Sequence, residues 1–250
     1  MPELSVVIIT YNEEENIGAC IDSVKEVADE VVVLDSFSTD RTSEIARMKG
    51  ARVVQHVFDG HIEQKNRAKD LATHDYVLSL DADEQLSDEL QQSILQAKRQ
   101  FTADGYTMNR LNFYCGREIK TCGWYPDRKL RLWNRNKGAW GGVNPHDKFM
   151  IQSGSEIILL NGNILHYTYP THEALITQSD KFASIAAEQL KIKSIFYLLV
   201  KMIFSPPAKF IRSYLFLSGF REGRAGAVIS YYKMREVFLK YSRALKLKMR

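Results

Sequence analysis

A short apolar stretch that ends in carboxylates, from Tyr76 to Glu84, constrains the fold most strongly. It begins as Tyr-Val-Leu-Ser-Leu, which has the length and composition of a buried parallel strand. Open α/β sheets bind ligands at the carboxyl ends of their strands, and residues two apart share one side of an extended chain. The pair Asp81 and Asp83 therefore predicts a site for Mg²⁺ or Mn²⁺ held against a diphosphate. The alternative is a solvated acidic turn.

The residues before this stretch alternate apolar strands with helices, which predicts a doubly wound, mostly parallel sheet with flanking helices. Asn12 is expected to cap the first helix. Neither a Gly-x-Gly-x-x-Gly fingerprint nor a Walker loop is present, so neither of those phosphate-binding motifs is available. The predicted strands are 4–10, 31–34, 51–55 and 76–80, and the predicted helices are near 14–24, 42–49 and 62–72.

Charge is distributed unevenly along the 250 residues, whose net charge is +4. Residues 189–250 carry fourteen Lys or Arg against two acids, which leaves the preceding part of the chain at −8. A basic tail on an acidic body indicates an anionic partner, either phospholipid or nucleic acid. The three cysteines lack metal-ligand spacing and are expected to be reduced thiols of a cytosolic protein, and no signal peptide is expected.

Four motifs in order resemble the family 2 glycosyltransferases of the GT-A fold. They are Ser5–Glu14, Val33–Asp40, Gln64–Ala68 and Leu80–Glu84. The second half resembles the bacterial branch that builds lipopolysaccharide inner core, a β-1,4-glucosyltransferase type acting on a heptose. Its matching segments are Trp124–Arg128, Arg131–Trp133, Trp140–Asp147 and Leu165–Tyr167.

The resemblance implies a role for each matching residue. The nucleotide base and ribose pocket would be lined by Thr10, Tyr11, Glu13 and Asp35. Lys65 would lie near the diphosphate, Asp81 would contact ribose or metal, and Asp83 would bind the metal.

Two departures from the family pattern are visible. Many members have Asp-Asp-Gly-Ser after the second strand, whereas this chain has Asp35-Ser36-Phe37-Ser38. The branch usually has Val-His-Glu, whereas here Asn144-Pro145 separates Val143 from His146, and Asp147 is the acid.

Inverting sugar transfer needs a carboxylate base within reach of the acceptor hydroxyl, and positive charge for the leaving diphosphate. Asp147 is the candidate base, in a Gly- and Pro-rich loop flanked by Trp140 and His146, which suit an acceptor pocket with a sugar-stacking ring. Asp147 would otherwise pair with Lys148 or cap a turn.

Asp127 is the rival base. It would otherwise form a salt bridge with Arg128 or Arg131, and Arg131 could instead reach the diphosphate. His166 ends an apolar strand and is placed to complete the metal shell, although a hydrogen-bonded structural role is the commoner one. The three tryptophans, including Trp140, would otherwise belong to the core.

The tail is predicted to be helical. Thr171 caps a helix to about Lys191, and an apolar run from Ile195 to Phe204 is expected to stop at Pro206-Pro207, too short to span a bilayer. Aromatic residues among Lys and Arg indicate interfacial helices on an anionic leaflet. A helical subdomain packed on the catalytic core is the alternative, and no recognition motif supports nucleic acid.

These observations predict an α/β, GT-A Rossmann-like enzyme with a C-terminal basic amphipathic helical region. Residues 1–170 would form the catalytic domain, with a nucleotide-sugar half (1–100) and an acceptor half (101–170), and 171–250 would associate with membrane. The expected reaction moves a hexose from a nucleotide sugar, UDP-glucose in the first instance, to a lipid-linked glycan at the inner face of the cytoplasmic membrane. The alternatives are a polyprenyl-phosphate glycosyltransferase and a non-catalytic binding protein on the same scaffold.

Overall fold

The computed structural model describes residues 2–143 and 146–249, with His146 described through its backbone alone. The chain divides into two compact units, Met1–Arg110 with Asp127–His166, and Leu111–Pro126 with Tyr167–Arg250. The strands are β1 (Leu4–Thr10), β2 (Glu30–Asp35), β3 (Arg52–Gln55), β4 (Tyr76–Asp81), β5 (Glu84–Leu86), β6 (Gly105–Tyr114), β7 (Arg117–Ile119), β8 (Asp127–Asn134), β9 (Gly138–Val143), β10 (His146–Ile151) and β11 (Ile157–Tyr169). The helices are α1 (Ile17–Val24), α2 (Thr42–Met48), α3 (His61–Leu71), α4 (Asp88–Arg99), α5 (His172–Leu190), α6 (Ile195–Ile211) and α7 (Arg224–Lys248).

The main sheet has the order β3-β2-β1-β4-β8-β6-β11-β5, with β7 paired to β6. Its first four strands are parallel, and β8 then pairs antiparallel with both β4 and β6. Helices connect the parallel strands, so the predicted α/β fold with a Rossmann-like sheet, flanking helices and a C-terminal helical region is confirmed. The antiparallel pairing of β8 with β4 and β6, the hairpin of β9 and β10, and the short β5 add to what the sequence predicted.

The core of the first unit lies between the parallel strands and the helices of one face. Ile8 and Leu78 come from the strands, while Ile17, Leu90 and Ile94 come from α1 and α4, and all five are fully buried. The strand residues are apolar in continuous runs because both faces of a parallel sheet are covered. This packing fixes the strand ends, and with them the residues that follow each strand.

Two local predictions in the first unit are wrong. Asn12 does not cap a helix, because α1 begins at Ile17 and Asn12 adopts a left-handed backbone conformation with φ of 54°. Its side-chain oxygen instead accepts a hydrogen bond of 2.8 Å from the Thr39 amide. Asparagine tolerates this conformation better than most residues, so the turn after β1 forms without glycine. His166 does not end a strand, because β11 continues to Tyr169.

The second unit contains the hairpin of β6 and β7 and the helices α5, α6 and α7. Thr171 caps α5 as predicted, with its hydroxyl accepting from the Ala174 amide. Pro206-Pro207 does not stop α6, which continues to Ile211. Each proline removes a backbone hydrogen bond, yet α6 packs along α7 and buries Leu198 beside Tyr241, and tertiary packing contributes most of a helix's stability. The boundary at residue 170 between catalytic and membrane-associating regions stays a prediction.

Candidate functional site

The carboxyl ends of β1, β2 and β4 bring predicted site residues to one edge of the sheet. In the strand register, Thr10 lies opposite Asp35, and Ile9 lies opposite Asp81. This is the edge at which open α/β sheets bind ligands. The residues assigned to the nucleotide pocket therefore share one location, although they are separated by as many as 71 positions in the printed sequence.

Asp35 is fully buried and holds the loop that follows β2. Its carboxylate accepts hydrogen bonds from the Ser38 amide at 3.1 Å, the Ser43 hydroxyl at 2.8 Å and the Gln55 amide group at 2.9 Å. These bonds organise the side of the edge predicted to bind the nucleotide. Contact between Asp35 and a base stays a prediction.

Thr10, Tyr11 and Glu13 follow β1 with different exposures. Tyr11 is exposed, whereas Thr10 Oγ1 is buried and has no hydrogen-bond partner among the described residues. Burial raises the pKa of Glu13; the Asn16 side chain, donating at 2.7 Å, lowers it, and the neighbouring Asp83 raises it again, so the net shift is upward. A polar oxygen without a partner and a carboxyl with a raised pKa are features of sites that await a ligand.

Lys65 connects two predicted site residues that are distant in sequence. From α3, its Nζ lies 3.2 Å from Asp81 Oδ1 and 2.9 Å from Asp147 Oδ2. Its side chain is 6% exposed, so both ion pairs are largely shielded from water. The structure therefore joins the end of β4 to β10 through one buried cation.

Arg131 completes the charged cluster around Asp81. It donates to Asp81 Oδ2 at 3.0 Å and to Glu84 Oε1 at 2.9 Å, and Arg110 reaches the same Glu84 oxygen at 3.2 Å. Burial raises the pKa of Asp81. The nearby charges of Lys65 and Arg131 lower it by more, so the pKa of Asp81 lies well below its ordinary value. Burial lowers the pKa of Arg131, and Glu84 and Asp81 raise it more. Asp81 is ionised and Arg131 is charged at neutral pH.

Asp127, the rival base, lies in β8 and belongs to the same cluster. Arg110 Nη2 is 2.9 Å from its carboxylate, and Lys129 Nζ is 3.0 Å away. The predicted pairing with Arg128 or Arg131 is wrong, since Arg110 and Lys129 occupy this carboxylate.

Asp147 lies on a two-stranded hairpin of β9 and β10, where it is opposite Gly142. The prediction of a loop at Asp147 is wrong, because antiparallel pairing extends through it. Pairing with Lys148 is also not what the structure shows, since Lys65 takes that position. The Asn66 side chain anchors the hairpin by donating to the Trp140 carbonyl and accepting from its amide, each at 2.9 Å.

Trp140 is 5% exposed and packs edge-on against Trp133 and Phe149. Lys65 Nζ lies 4.6 Å from the centre of one of its rings, a cation–π distance. So little exposed ring surface favours the core interpretation of Trp140 over sugar stacking. Asn144, Pro145 and the side chain of His146 lie outside the described residues.

Asp83 and His166 are the two predicted metal ligands that the structure brings into contact. β5 pairs antiparallel with β11 so that Glu84 lies opposite His166, and this brings His166 Nε2 to 3.2 Å from Asp83 Oδ2. Within the described residues, no group of three or more His, Cys, Asp and Glu is arranged to hold a metal. Mg²⁺ is commonly held by one or two carboxylates together with substrate phosphates, a role that the Asp83 carboxylate suits, while Asp81 is committed to Lys65 and Arg131. That His166 completes the metal shell stays a prediction.

Three residues of this cluster were not assigned roles from the sequence. Glu84 is fully buried and also accepts from the Asp81 amide at 3.0 Å, so it fixes the turn after β4. Arg110 donates a hydrogen bond to Glu84. Asn66 donates a hydrogen bond to the Trp140 carbonyl of the hairpin. Glu84 gave a signal as the acid that directly follows Asp83, and Asn66 lies in the motif Gln64–Ala68, whereas Arg110 gave none.

Comparisons with known proteins agree with this geometry. The family model described as glycosyl transferase family 2 matches residues 5–153. An uncharacterised glycosyltransferase of Rickettsia typhi is 34% identical over 96% of this chain and 89% of the relative. LpsC of Rhizobium meliloti, a lipopolysaccharide core biosynthesis glycosyltransferase, is 27% identical over 96% of this chain and 93% of the relative. A mycobacterial protein of known crystal structure shares the fold, with a TM-score of 0.50, 21% identity and coverage of 74% of both chains.

Proposed function

Because this chain belongs to glycosyl transferase family 2 and is a glycosyltransferase, we propose that it is an inverting, metal-dependent enzyme acting on a lipid-linked glycan. The donor we propose is UDP-glucose, and the acceptor is a sugar hydroxyl of a glycan such as lipopolysaccharide inner core. Full-length similarity to LpsC supports this class of acceptor. Such an acceptor places the enzyme in the cytoplasm, peripherally at the inner face of the cytoplasmic membrane.

The double ion pair of Lys65 with Asp81 and Asp147 is the observation that carries the proposal. Asp81 lies at the sheet edge where the donor would bind, and Asp147 lies on the hairpin assigned to the acceptor side. In an inverting displacement, the acceptor oxygen and the leaving diphosphate lie on opposite sides of the same anomeric carbon. The base and the diphosphate site must therefore both lie within reach of that one atom. Lys65 fixes this spacing.

In the proposed reaction, the acceptor oxygen forms a bond to the anomeric carbon while the bond from that carbon to the diphosphate oxygen breaks. Asp147 takes the hydroxyl proton, and UDP leaves with the bonding electron pair. Lys65 and Arg131, which both pair with Asp81, would supply positive charge beside the departing diphosphate. Asp83 and His166 would hold Mg²⁺ or Mn²⁺, which supplies further charge neutralisation when bound.

Calorimetry of UDP and UDP-glucose, with and without Mn²⁺, tests the donor site on wild type, Asp83→Ala and the control Asp70→Ala. Asp70 is an exposed acid on α3 that pairs with its neighbour Lys69. We expect Mn²⁺-dependent UDP binding in wild type and in the control, and its loss in Asp83→Ala. Binding that is unchanged in Asp83→Ala would contradict the metal assignment, and absence of UDP binding from wild type would contradict the donor.

Product analysis with lipid extracts and UDP-glucose tests the acceptor. We expect a glycolipid in which glucose is attached to a sugar. A glucosyl lipid phosphate that is cleaved by mild acid would instead identify the polyprenyl-phosphate alternative. Asp147→Asn should abolish product formation while UDP binding persists, and equal loss in Asp127→Asn alone would make Asp127 the base.

A further inference from the structure

The outward face of α6 is a continuous apolar stripe in the second unit. Phe196, Ile203 and Phe204 are 78%, 61% and 67% exposed, at helical spacing. The opposite face holds Leu198, which is fully buried against α7. The α6 face is defined here as the exposed apolar residues Phe196, Leu199, Val200, Ile203, Phe204, Pro207 and Ile211, and it continues into the exposed Leu215 and Phe216.

The segment that carries the α6 face is rich in positive charge. Residues 191–224 contain seven Lys or Arg and a single acid, Glu222. Glu222 is buried and pairs with Arg117 at 2.9 Å, so it offers no exposed negative charge beside the stripe. Lys191 pairs with the exposed Glu188 at 2.7 Å. The exposed cations of this segment are Lys191, Lys193, Lys201, Lys209, Arg212, Arg221 and Arg224.

An apolar groove of about 410 Å³ lies between α6 and α7 and opens beside the stripe. Ile203 and Pro207 belong to both the groove and the α6 face, while Met202, Met234 and Phe238 line it further. Two flexible methionines suit a groove that receives an irregular, apolar chain. The groove and the stripe therefore form one apolar surface.

We propose that the α6 face is a docking surface for an anionic phospholipid bilayer, with α6 lying in the plane of the interface and an acyl chain entering the groove. An apolar stripe in a segment, residues 191–224, that carries seven exposed cations and no exposed acid is complementary to such a surface. Within residues 2–143 and 146–249, no helix is long and apolar enough to cross a bilayer. This inference rests on the proposed function, because a lipid-linked acceptor is the reason for the enzyme to bind a membrane. The position of the docking surface rests on the α6 face alone.

Flotation of the full chain with vesicles tests the surface directly. Vesicles of phosphatidylcholine containing phosphatidylglycerol are compared with phosphatidylcholine alone, at low and high salt. We expect binding to the anionic vesicles to be at least about tenfold tighter, and to weaken with salt. Equal binding to both vesicle types, or none to either, would overturn the proposal.

The variant Phe196→Ser/Phe204→Ser removes two rings of the stripe, and Phe58→Ser, an exposed ring of the first unit, is the matched control. We expect vesicle affinity to fall at least about tenfold in the double variant and to stay within about twofold of wild type in the control. Unchanged vesicle binding in the double variant would overturn the assignment of the face. Wild-type dimers that become monomers in the double variant, without vesicle binding, would identify a second copy as the occupant and overturn the proposal.

UDP titration of the same proteins separates this inference from the proposed function. Lost vesicle binding with retained UDP binding in the double variant supports a docking role and shows that the protein is folded. Wild type that binds UDP but no vesicles would overturn this inference and leave the donor assignment intact. Wild type that binds anionic vesicles but no nucleotide would overturn the donor assignment and leave this inference intact.

Discussion

The Nζ atom of Lys65 lies 2.9 Å from the carboxylate of Asp147, 82 positions away in the chain. The same atom lies 3.2 Å from Asp81. One buried cation thus sets the distance between the end of a parallel strand and a separate hairpin. The positions of two candidate-site carboxylates, Asp81 and Asp147, therefore depend on Lys65.

Lys65→Met should lower kcat/KM by about 10²-fold, because a preorganised positive charge beside the diphosphate is lost. Asp81 and Asp147 also lose the cation that keeps them in place. Steady-state glucosyl transfer measures the effect. Lys69→Met, on the same helix but paired with the exposed Asp70, should stay near wild type. Comparable losses in both variants would show that helix damage, and not the bridge, is responsible.

Glu84→Gln should lower the free energy of unfolding by about 3 kcal/mol, since it leaves the charges of Arg131 and Arg110 with one carboxylate fewer in a buried cluster. Denaturant unfolding measures it. Glu118→Gln breaks an exposed pair with Lys120 and should change stability by less than about 0.5 kcal/mol. A Glu84→Gln protein as stable as wild type would show that the ion pairs of Glu84 contribute no net stability.

Glu13→Gln should raise stability at pH 7 relative to wild type more than at pH 4. Burial raises the pKa of Glu13 above its ordinary 4.5. A carboxyl with a raised folded pKa stabilises the fold below its unfolded pKa, and this contribution is lost as pH rises through the folded pKa. Ionised Glu13 therefore costs stability at neutral pH.

Unfolding free energies of wild type, Glu13→Gln and the exposed control Glu15→Gln across this pH range measure the difference. The control should show no such trend. A Glu13→Gln gain that is larger at pH 4 than at pH 7 would contradict the sign. Because Glu13 is proposed to line the nucleotide pocket, UDP affinity should fall in the more stable variant.

His166→Ala should raise the Mn²⁺ concentration needed for half-maximal activity by about tenfold or more, while saturating Mn²⁺ restores part of kcat. The reason is its 3.2 Å contact with Asp83. Free Mn²⁺ measured by electron paramagnetic resonance gives binding without turnover. His56→Ala, a half-buried histidine bonded to the adjacent Val57 carbonyl, is the control. An unchanged Mn²⁺ affinity in His166→Ala would assign His166 a purely structural role.

Features that depend on local sequence were predictable. Thr171 caps α5 by accepting from the Ala174 amide, as predicted from its hydroxyl and position. The four parallel strands are visible as apolar runs, and their carboxyl ends carry Asp35 and Asp81. Together these define the sheet edge to which the nucleotide residues were assigned.

Features that depend on pairing between distant segments could not be predicted from the sequence. Asp147 follows Gly and Pro, which indicates a loop, and only the hairpin register places it beside Lys65. The three residues of β5 are too few to show periodicity, so the approach of His166 to Asp83 has no sequence signature beyond residue type. Pro206-Pro207 predicts a helix end unless the packing of α6 on α7 is known.

The hairpin that carries Asp147 is not a strand of the main sheet; it forms a two-stranded sheet of its own, tied to α3 through Asn66 and Lys65. Under the proposed function, the donor is bound by the main sheet and the acceptor by this hairpin, so the two are recognised by different pieces of backbone. We therefore expect a change of hairpin sequence to alter which acceptor hydroxyl is glycosylated without altering the strands beneath the nucleotide. Grafting β9 and β10 between relatives is thus a rational route to new linkages, provided that the Asn66 and Lys65 attachments are kept.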